Sequence, residues 1–169
     1  MGENKKNVDF LRSIVGAESD LILNFFALFS RFEYALKRCG FCINNKTFAE
    51  ADWDSFSNKM KGLFSKIEDE EFKSAVSFLE SEPPRKQLAL KGVLTWGEPI
   101  APGDGETDEK YTLRLVRAVR NNLFHGGKFP GKVAEETARN EKLIKSSMDV
   151  LEKCLDLNPE LRNVFLEGV

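Results

Sequence analysis

The chain has 169 residues and a net charge of −2, with 41% hydrophobic and 31% charged residues. This length and composition suit one globular domain with its own core, and they exclude a disordered chain or a protein that coats nucleic acid through its overall charge. No apolar run approaches the roughly 18 residues of a membrane span, and an odd number of cysteines, three, favours a reducing compartment over a disulfide framework. We therefore expect a cytoplasmic protein with no membrane association.

Apolar residues recur at helical spacing along most of the chain, and no segment alternates apolar and polar residues for long. The first predicted helix covers about residues 19–41. Ser19 or Asp20 can cap its start, and Gly40 can end it. Its buried face is wide and rich in phenylalanine, and Glu33 lies on that face.

The middle of the chain is predicted to hold three short helices and one long loop. The helices cover about 53–67, with Asp52 as the cap, then 69–80, stopped by a Pro-Pro pair, and 85–93. Residues 95–109 are rich in glycine, proline and acidic side chains, which is typical of a loop. A loop of this length in a compact domain is often functional.

The last third of the chain is predicted to be helical again. A fifth helix runs from about Asp108 to Phe124, GGKFPG follows as a turn, and a long helix covers about Val133–Leu157. The apolar seam of the long helix is formed by Ile144, Met148, Leu151 and Leu155. We expect an all-α, single-domain helical bundle over residues 1–169 with its core at about 19–157, and a short closing segment from Pro159.

One glycine-rich stretch, GGKFPGKV, is close to a phosphate-binding loop. Gly126, Gly131 and Lys132 have the spacing of that motif. Val133 stands where the motif has the Ser or Thr that holds Mg²⁺, and a helix, not a strand, is predicted before it. A helix stop followed by a proline-containing turn is therefore the favoured interpretation, although the backbone amides of such a turn can still hold a single phosphate.

A CxxC pair is formed by Cys39 and Cys42. A redox role would need a strand–helix setting, and a zinc site would need two more ligands, for which only Cys154 and His125 remain without paired spacing. Cys39 lies on the apolar stripe of its helix, which indicates a small core residue. We expect no metal site and no cofactor.

The strongest candidate site lies in a basic stretch from residue 110 to residue 134, which contains no acidic residue. On the predicted helix, Arg114, Arg117, Asn121 and His125 fall within about a quarter turn, with Arg120 to one side. Six residues carry the positive charge of the stretch: Lys110, Arg114, Arg117, Arg120, Lys128 and Lys132. Arg114, Arg117, Lys128 and Lys132 are the candidates for RNA binding.

Arginine and histidine together suit phosphoryl chemistry. Histidine moves protons near neutral pH, and arginine holds phosphate and stabilises the charge that develops on it. Arg120 and His125 would suffice for RNA cleavage without metal, in which the neighbouring 2′-OH attacks the phosphate. The alternative is that His125 only caps a helix end. Glu33 is costly on an apolar face unless it is paired, and Arg120 is its first candidate partner; otherwise Glu33 faces water at the edge of the stripe.

Two segments, FFALFSRFEYALK and RAVRNNLFHGGK, resemble the HEPN family (higher eukaryotes and prokaryotes nucleotide-binding), whose hallmark is an Arg, four to six residues and a His, often with Asn after the Arg. The resemblance covers about residues 19–157. By position it implies that Arg120 polarises the scissile phosphate, His125 is the general acid and base, and Asn121 orients the phosphate or the imidazole. It also implies that Glu33 organises the arginine.

The resemblance further implies a helical bundle that acts as a homodimer, cuts RNA without metal, and serves as a toxin or phage-defence effector with a possible antitoxin or regulatory protein as partner. Toxins that are inactivated by nucleotidyltransferase antitoxins often have Tyr two residues after the His. This chain has Gly127 there, so that mode of control is not supported. The alternative function is a non-catalytic HEPN module that binds a nucleotide or a protein.

Overall fold

The computed structural model describes residues 17–44, 48–124 and 134–167. Six helices lie in these ranges: α1 (Ser19–Arg38), α2 (Trp53–Met60), α3 (Glu70–Ser81), α4 (Asp108–Phe124), α5 (Ala134–Asp156) and α6 (Pro159–Leu166). They are joined by two antiparallel pairs of strands, β1 (Cys42–Asn44) with β2 (Ala49–Ala51) and β3 (Arg85–Leu90) with β4 (Val93–Pro99). The fold is therefore mostly helical, as expected, but it is not all-α.

The core is built around α1, which packs against α5 and α6, while α4 packs against α2, α3 and α5. Phe25, Phe29 and Phe32 are buried on α1, as the phenylalanine-rich face predicts. The predicted seam of α5 is confirmed, since Ile144, Leu151 and Leu155 are buried and Met148 packs against them. Within the described ranges, no helix combines the length and apolarity that crossing a bilayer requires.

Helix ends follow the predicted stop and cap residues in most places. Gly40 ends α1 with a φ of 86°, and the Phe41 N–H returns to the Leu36 carbonyl at 2.9 Å, which is the usual glycine stop. The Asp52 carboxylate caps α2 by accepting from the Ser55 N–H at 2.9 Å. The predicted cap of α1 is wrong, because its N-cap is Glu18 and no side chain makes the capping bond.

The second helix is shorter than predicted because Gly62 takes a left-handed φ of 73° and turns the chain into a 3-10 segment at Phe64–Lys66. A buried carboxylate from α4 stabilises this turn. Glu109 accepts from the Gly62 N–H at 2.7 Å and from the Phe64 N–H at 3.3 Å. The described part of α4, Asp108–Phe124, matches the prediction for the fifth helix.

The predicted short helix at 85–93 is wrong, and so is the start of the predicted loop at residue 95. The residues of the predicted helix and the first residues of the predicted loop instead form the β3–β4 hairpin, whose second strand ends at Pro99. Lys91 and Gly92 form its two-residue turn with φ values of 51° and 82°, the left-handed conformation that matches the twist of paired strands. The end of the hairpin carries exposed aliphatic side chains at Leu90, Val93 and Leu94.

Candidate functional site

A polar cleft of about 290 Å³ opens between α1, strand β2 and α4. Helix α1 contributes Phe29, Glu33 and Lys37, which are four residues apart and therefore share one face. Helix α4 contributes Arg117, Arg120 and Asn121. Strand β2 forms a further wall, and the buried Trp53 also lines the cleft. The cleft thus combines the basic edge predicted on α4 with the acidic residue predicted on α1.

Arg120 is half-buried at this cleft and is held by neutral groups. Its Nη1 donates to Asn121 Oδ1 at 3.0 Å. Its guanidinium carbon lies 5.4 Å from the centre of the Phe29 ring and 5.6 Å from that of Phe124, which is the distance of a cation–π contact. Among the described residues no carboxylate forms an ion pair with Arg120. Within this part of the chain, the guanidinium is therefore oriented by neutral groups and not by a carboxylate.

Glu33 lies in the same cleft, but its expected ion pair with Arg120 is absent from the described contacts. Glu33 Oε1 instead accepts from the indole Nε1 of Trp53 at 3.0 Å. The physical reason is that Trp53 is only 5% exposed, and a buried indole N–H needs an acceptor. The stacking of the indole on Phe29 and Phe32, at 5.4 and 5.5 Å between ring centres, brings that N–H to Glu33.

Arg117 completes the cationic side of the cleft. Its side chain is exposed, and its guanidinium carbon lies 5.8 Å from the Trp53 ring centre. The indole therefore touches a carboxylate from α1 at its edge and a guanidinium from α4 over its ring. Sequence reasoning missed Trp53 as a site residue; the only signal was its place directly after the Asp52 cap, which predicts the first turn of a helix.

Arg114, whose RNA-binding role stays a prediction, is paired with a carboxylate in the structure. Its Nε donates to Glu106 Oε1 at 2.8 Å and its Nη2 donates to the carbonyl of Ala101 at 2.9 Å, while Nη2 also pairs with the other oxygen of Glu106. The Glu106 side chain is 8% exposed, and its hydrogen bonds from Arg114 lower the pKa of the carboxyl. Arg114 therefore fastens the 100–107 loop to α4.

Three of the sequence-predicted site residues, His125, Lys128 and Lys132, lie outside the described residues. The stretch from Gly126 to Val133, whose sequence is close to a phosphate-binding loop, lies outside them as well. The helix predicted in front of that loop is confirmed by α4, and this argues against a strand-to-helix phosphate loop.

The three cysteines have free thiols. Cys39 packs against the core from the end of α1, as its place on the apolar stripe predicts, and burial raises the pKa of its thiol. Cys154 is fully buried, and burial raises the pKa of its thiol much further. Within the described ranges, no group of three or more His, Cys, Asp or Glu side chains is placed to hold a metal ion.

Comparisons of the chain with protein-family models, with curated proteins and with solved structures found no match. What the cleft can do chemically follows from its own residues. It offers two guanidinium groups without carboxylate ion pairs among the described residues, and a primary amide that orients one of them. It also offers the ammonium group of Lys37 and two carboxylates, Glu50 and Glu33, the second of which accepts a hydrogen bond from an indole.

Proposed function

We propose that this protein is a metal-independent endoribonuclease of the HEPN type that acts as a homodimer. Arg120 holds and polarises the scissile phosphate, and Asn121 orients Arg120. His125 takes the proton of the 2′-OH, the 2′-oxygen attacks phosphorus, and the 5′-oxygen leaves with a proton returned by histidine. The products carry a 2′,3′-cyclic phosphate and a 5′-hydroxyl. We place the activity in a toxin or phage-defence setting, with RNA as substrate.

The observation that carries this proposal is that neutral groups hold the Arg120 guanidinium in place. A guanidinium that is already neutralised by a carboxylate has lost most of its capacity to bind phosphate, as Arg114 illustrates through its ion pair with Glu106. In the described parts of the chain, Arg120 has an amide and two rings as its contacts, and it lines an open polar cleft. Orientation without neutralisation is what stabilisation of a developing phosphoryl charge requires.

His125 enters the proposal through its sequence position, four residues beyond Asn121, which is the spacing of neighbours on one helix face. The amide at position 121 already accepts from Arg120. We propose that arginine, amide and imidazole act as one functional unit. A non-catalytic nucleotide- or protein-binding module is the rival function, and it needs no histidine.

The test is RNA cleavage in excess EDTA by the wild type, Arg120→Ala and His125→Ala. Arg162→Ala, an exposed arginine on α6, serves as the matched control for loss of one positive charge. We expect cleavage by the wild type and the control and a loss of at least 100-fold in both site variants. Undiminished cleavage by His125→Ala would overturn the role of that histidine, and RNA binding without any cleavage by the wild type would favour the rival function.

A further inference from the structure

The carboxylate of Glu33, which lines the cleft, can accept hydrogen bonds that the proposed phosphate chemistry does not use. A carboxylate has about four lone-pair sites for hydrogen bonds. The indole of Trp53 takes one of them, on Glu33 Oε1. No cation forms an ion pair with Glu33 among the described residues. A half-buried acceptor group is thus left facing a cleft that any bound ligand must share.

The position of this carboxylate relative to the arginines defines what it can contact. Phe29, on which Arg120 rests, is one helical turn before Glu33 on α1, so the two positions are about 6 Å apart along the helix axis. Arg117 rests on the indole that Glu33 holds. A ligand whose phosphate contacts the arginines therefore lies in the same cleft as the Glu33 carboxylate.

A carboxylate next to a phosphate site repels the phosphate, so it favours binding only when the ligand brings hydrogen-bond donors to it, and the bases differ in the N–H donors that they can bring. Among the four RNA bases, only guanine presents two adjacent donors on one edge, N1–H and the 2-amino group, which match the two oxygens of a carboxylate. Adenine and cytosine present a donor beside an acceptor, and uracil presents one donor between two acceptors. The acceptor atoms of these three bases would face Glu33 unfavourably.

We propose that the cleft is a guanosine-phosphate subsite, in which Arg117 and Arg120 bind the phosphate and Glu33 accepts from N1–H and the 2-amino group of guanine. The volume of about 290 Å³ is at the lower end for small-molecule sites and suits a single nucleotide. Where the ligand is RNA, this inference rests on the proposed nuclease function. Glu33 is then the residue that selects guanosine at the cleavage site.

The first test is calorimetric titration of the wild-type chain with the 3′-monophosphates of guanosine, inosine and adenosine. Inosine lacks the 2-amino group but keeps N1–H, so it removes one of the two bonds. We expect guanosine to bind about tenfold or more tightly than adenosine, which is within the range for discrimination by a two-bond contact, and inosine to lie between them. Equal affinities for the three nucleotides would overturn the inference.

The second test assigns the preference to its residue. Glu33→Gln keeps an oxygen for the Trp53 N–H but replaces the second acceptor with a donor, so the fold is retained while guanosine and adenosine should bind within about twofold of each other. Glu152→Gln, an exposed glutamate on α5, is the matched control and should keep the preference. A guanosine preference that survives in Glu33→Gln would refute the assignment, as would its loss in Glu50→Gln, which changes the other carboxylate of the cleft.

Free nucleotide and RNA give separate outcomes, which keeps this inference distinct from the nuclease proposal. Two short RNAs that differ only by guanosine or adenosine at the cleaved position are compared in EDTA. Cleavage of both at equal rates would overturn the guanosine selection and leave the nuclease function standing. A guanosine preference in titration without cleavage of either RNA would overturn the nuclease function and support the subsite as a guanine-nucleotide site.

Discussion

Replacing Arg114 and Arg120 separately by alanine distinguishes a structural arginine from a functional one on the same helix. Both residues belong to the basic stretch of α4, and the sequence predicts a phosphate contact for each, as an RNA-binding residue for Arg114 and as a catalytic residue for Arg120. In the structure, Arg114 makes a two-bond ion pair with a Glu106 side chain that is 8% exposed, and it also contacts the Ala101 carbonyl. Among the described residues, the contacts of Arg120 are an amide and two rings.

These contacts set the expected losses in the free energy of unfolding. Removing one partner of a buried ion pair costs about 3–5 kcal/mol. Because the Arg114 side chain is 32% exposed, screening by solvent lowers the figure, and we expect about 2 kcal/mol for Arg114→Ala. Arg120→Ala loses one hydrogen bond to an exposed amide and two partly solvated cation–π contacts, which together are about 1 kcal/mol.

The expected losses in cleavage run in the opposite order. Removing a group that stabilises developing charge lowers kcat by about 10²–10³, and we expect this of Arg120→Ala. Arg114→Ala should keep kcat within about threefold at temperatures where it is folded. Urea unfolding followed by circular dichroism gives the stabilities, and single-turnover RNA cleavage gives the rates. If Arg120→Ala were the more destabilised variant and cleaved RNA as fast as Arg114→Ala, Arg120 would be the structural residue and the reasoning would fail.

Three further predictions concern the stability of the fold and the burial of its core. Glu109→Ala leaves two backbone N–H groups without their buried acceptor and should lower the free energy of unfolding by about 3 kcal/mol in urea; a loss below about 1 kcal/mol would contradict this role. Arg114 holds the pKa of Glu106 below its ordinary value of 4.5, so the stability from this pair is present above pH 4.5 and is lost as pH falls through the lowered pKa. The stability difference between wild type and Arg114→Ala should therefore shrink in acid, and a difference that grew there would refute it. Burial raises the pKa of the Cys154 thiol, so iodoacetamide should modify it only after unfolding, as measured by mass spectrometry; modification of the native chain would show that the residue is accessible.

Local signals account for most of the helical fold. The 3.6-residue period, the aspartate caps and the glycine stop place α1, α2, α4 and α5 to within a few residues, except that α2 ends early at Gly62. The segment RKQLALKG reads as a helix by composition, because leucine, alanine, lysine and glutamine all favour helices. It forms a strand because Lys91 and Gly92 adopt a two-residue turn and pair it with β4. A lysine in the left-handed region is uncommon, and the sequence carries no strong sign of it.

The candidate site was predictable as a set of residues but not as a set of contacts. Helical spacing places Arg117, Arg120 and Asn121 on one edge, and the structure places them in one cleft. The partner of Glu33 depends on how α2 packs against α1, and no local pattern encodes that packing. The ion pair between Arg114 and Glu106 likewise depends on the path of the 100–107 loop. Long-range contacts of this kind decide which of several similar arginines is bound by a carboxylate.

The central claim is that this chain cuts RNA by attack of the 2′-OH with Arg120 at the phosphate. The most direct measurement is the chemistry of the product ends after cleavage in EDTA, read by mass spectrometry, together with a substrate that has a single 2′-deoxynucleotide at the cleaved position. We expect 2′,3′-cyclic phosphate and 5′-hydroxyl ends, and no cleavage at the deoxy position. Products with 3′-hydroxyl and 5′-phosphate ends, or cleavage that persists at the deoxy position, would contradict the mechanism.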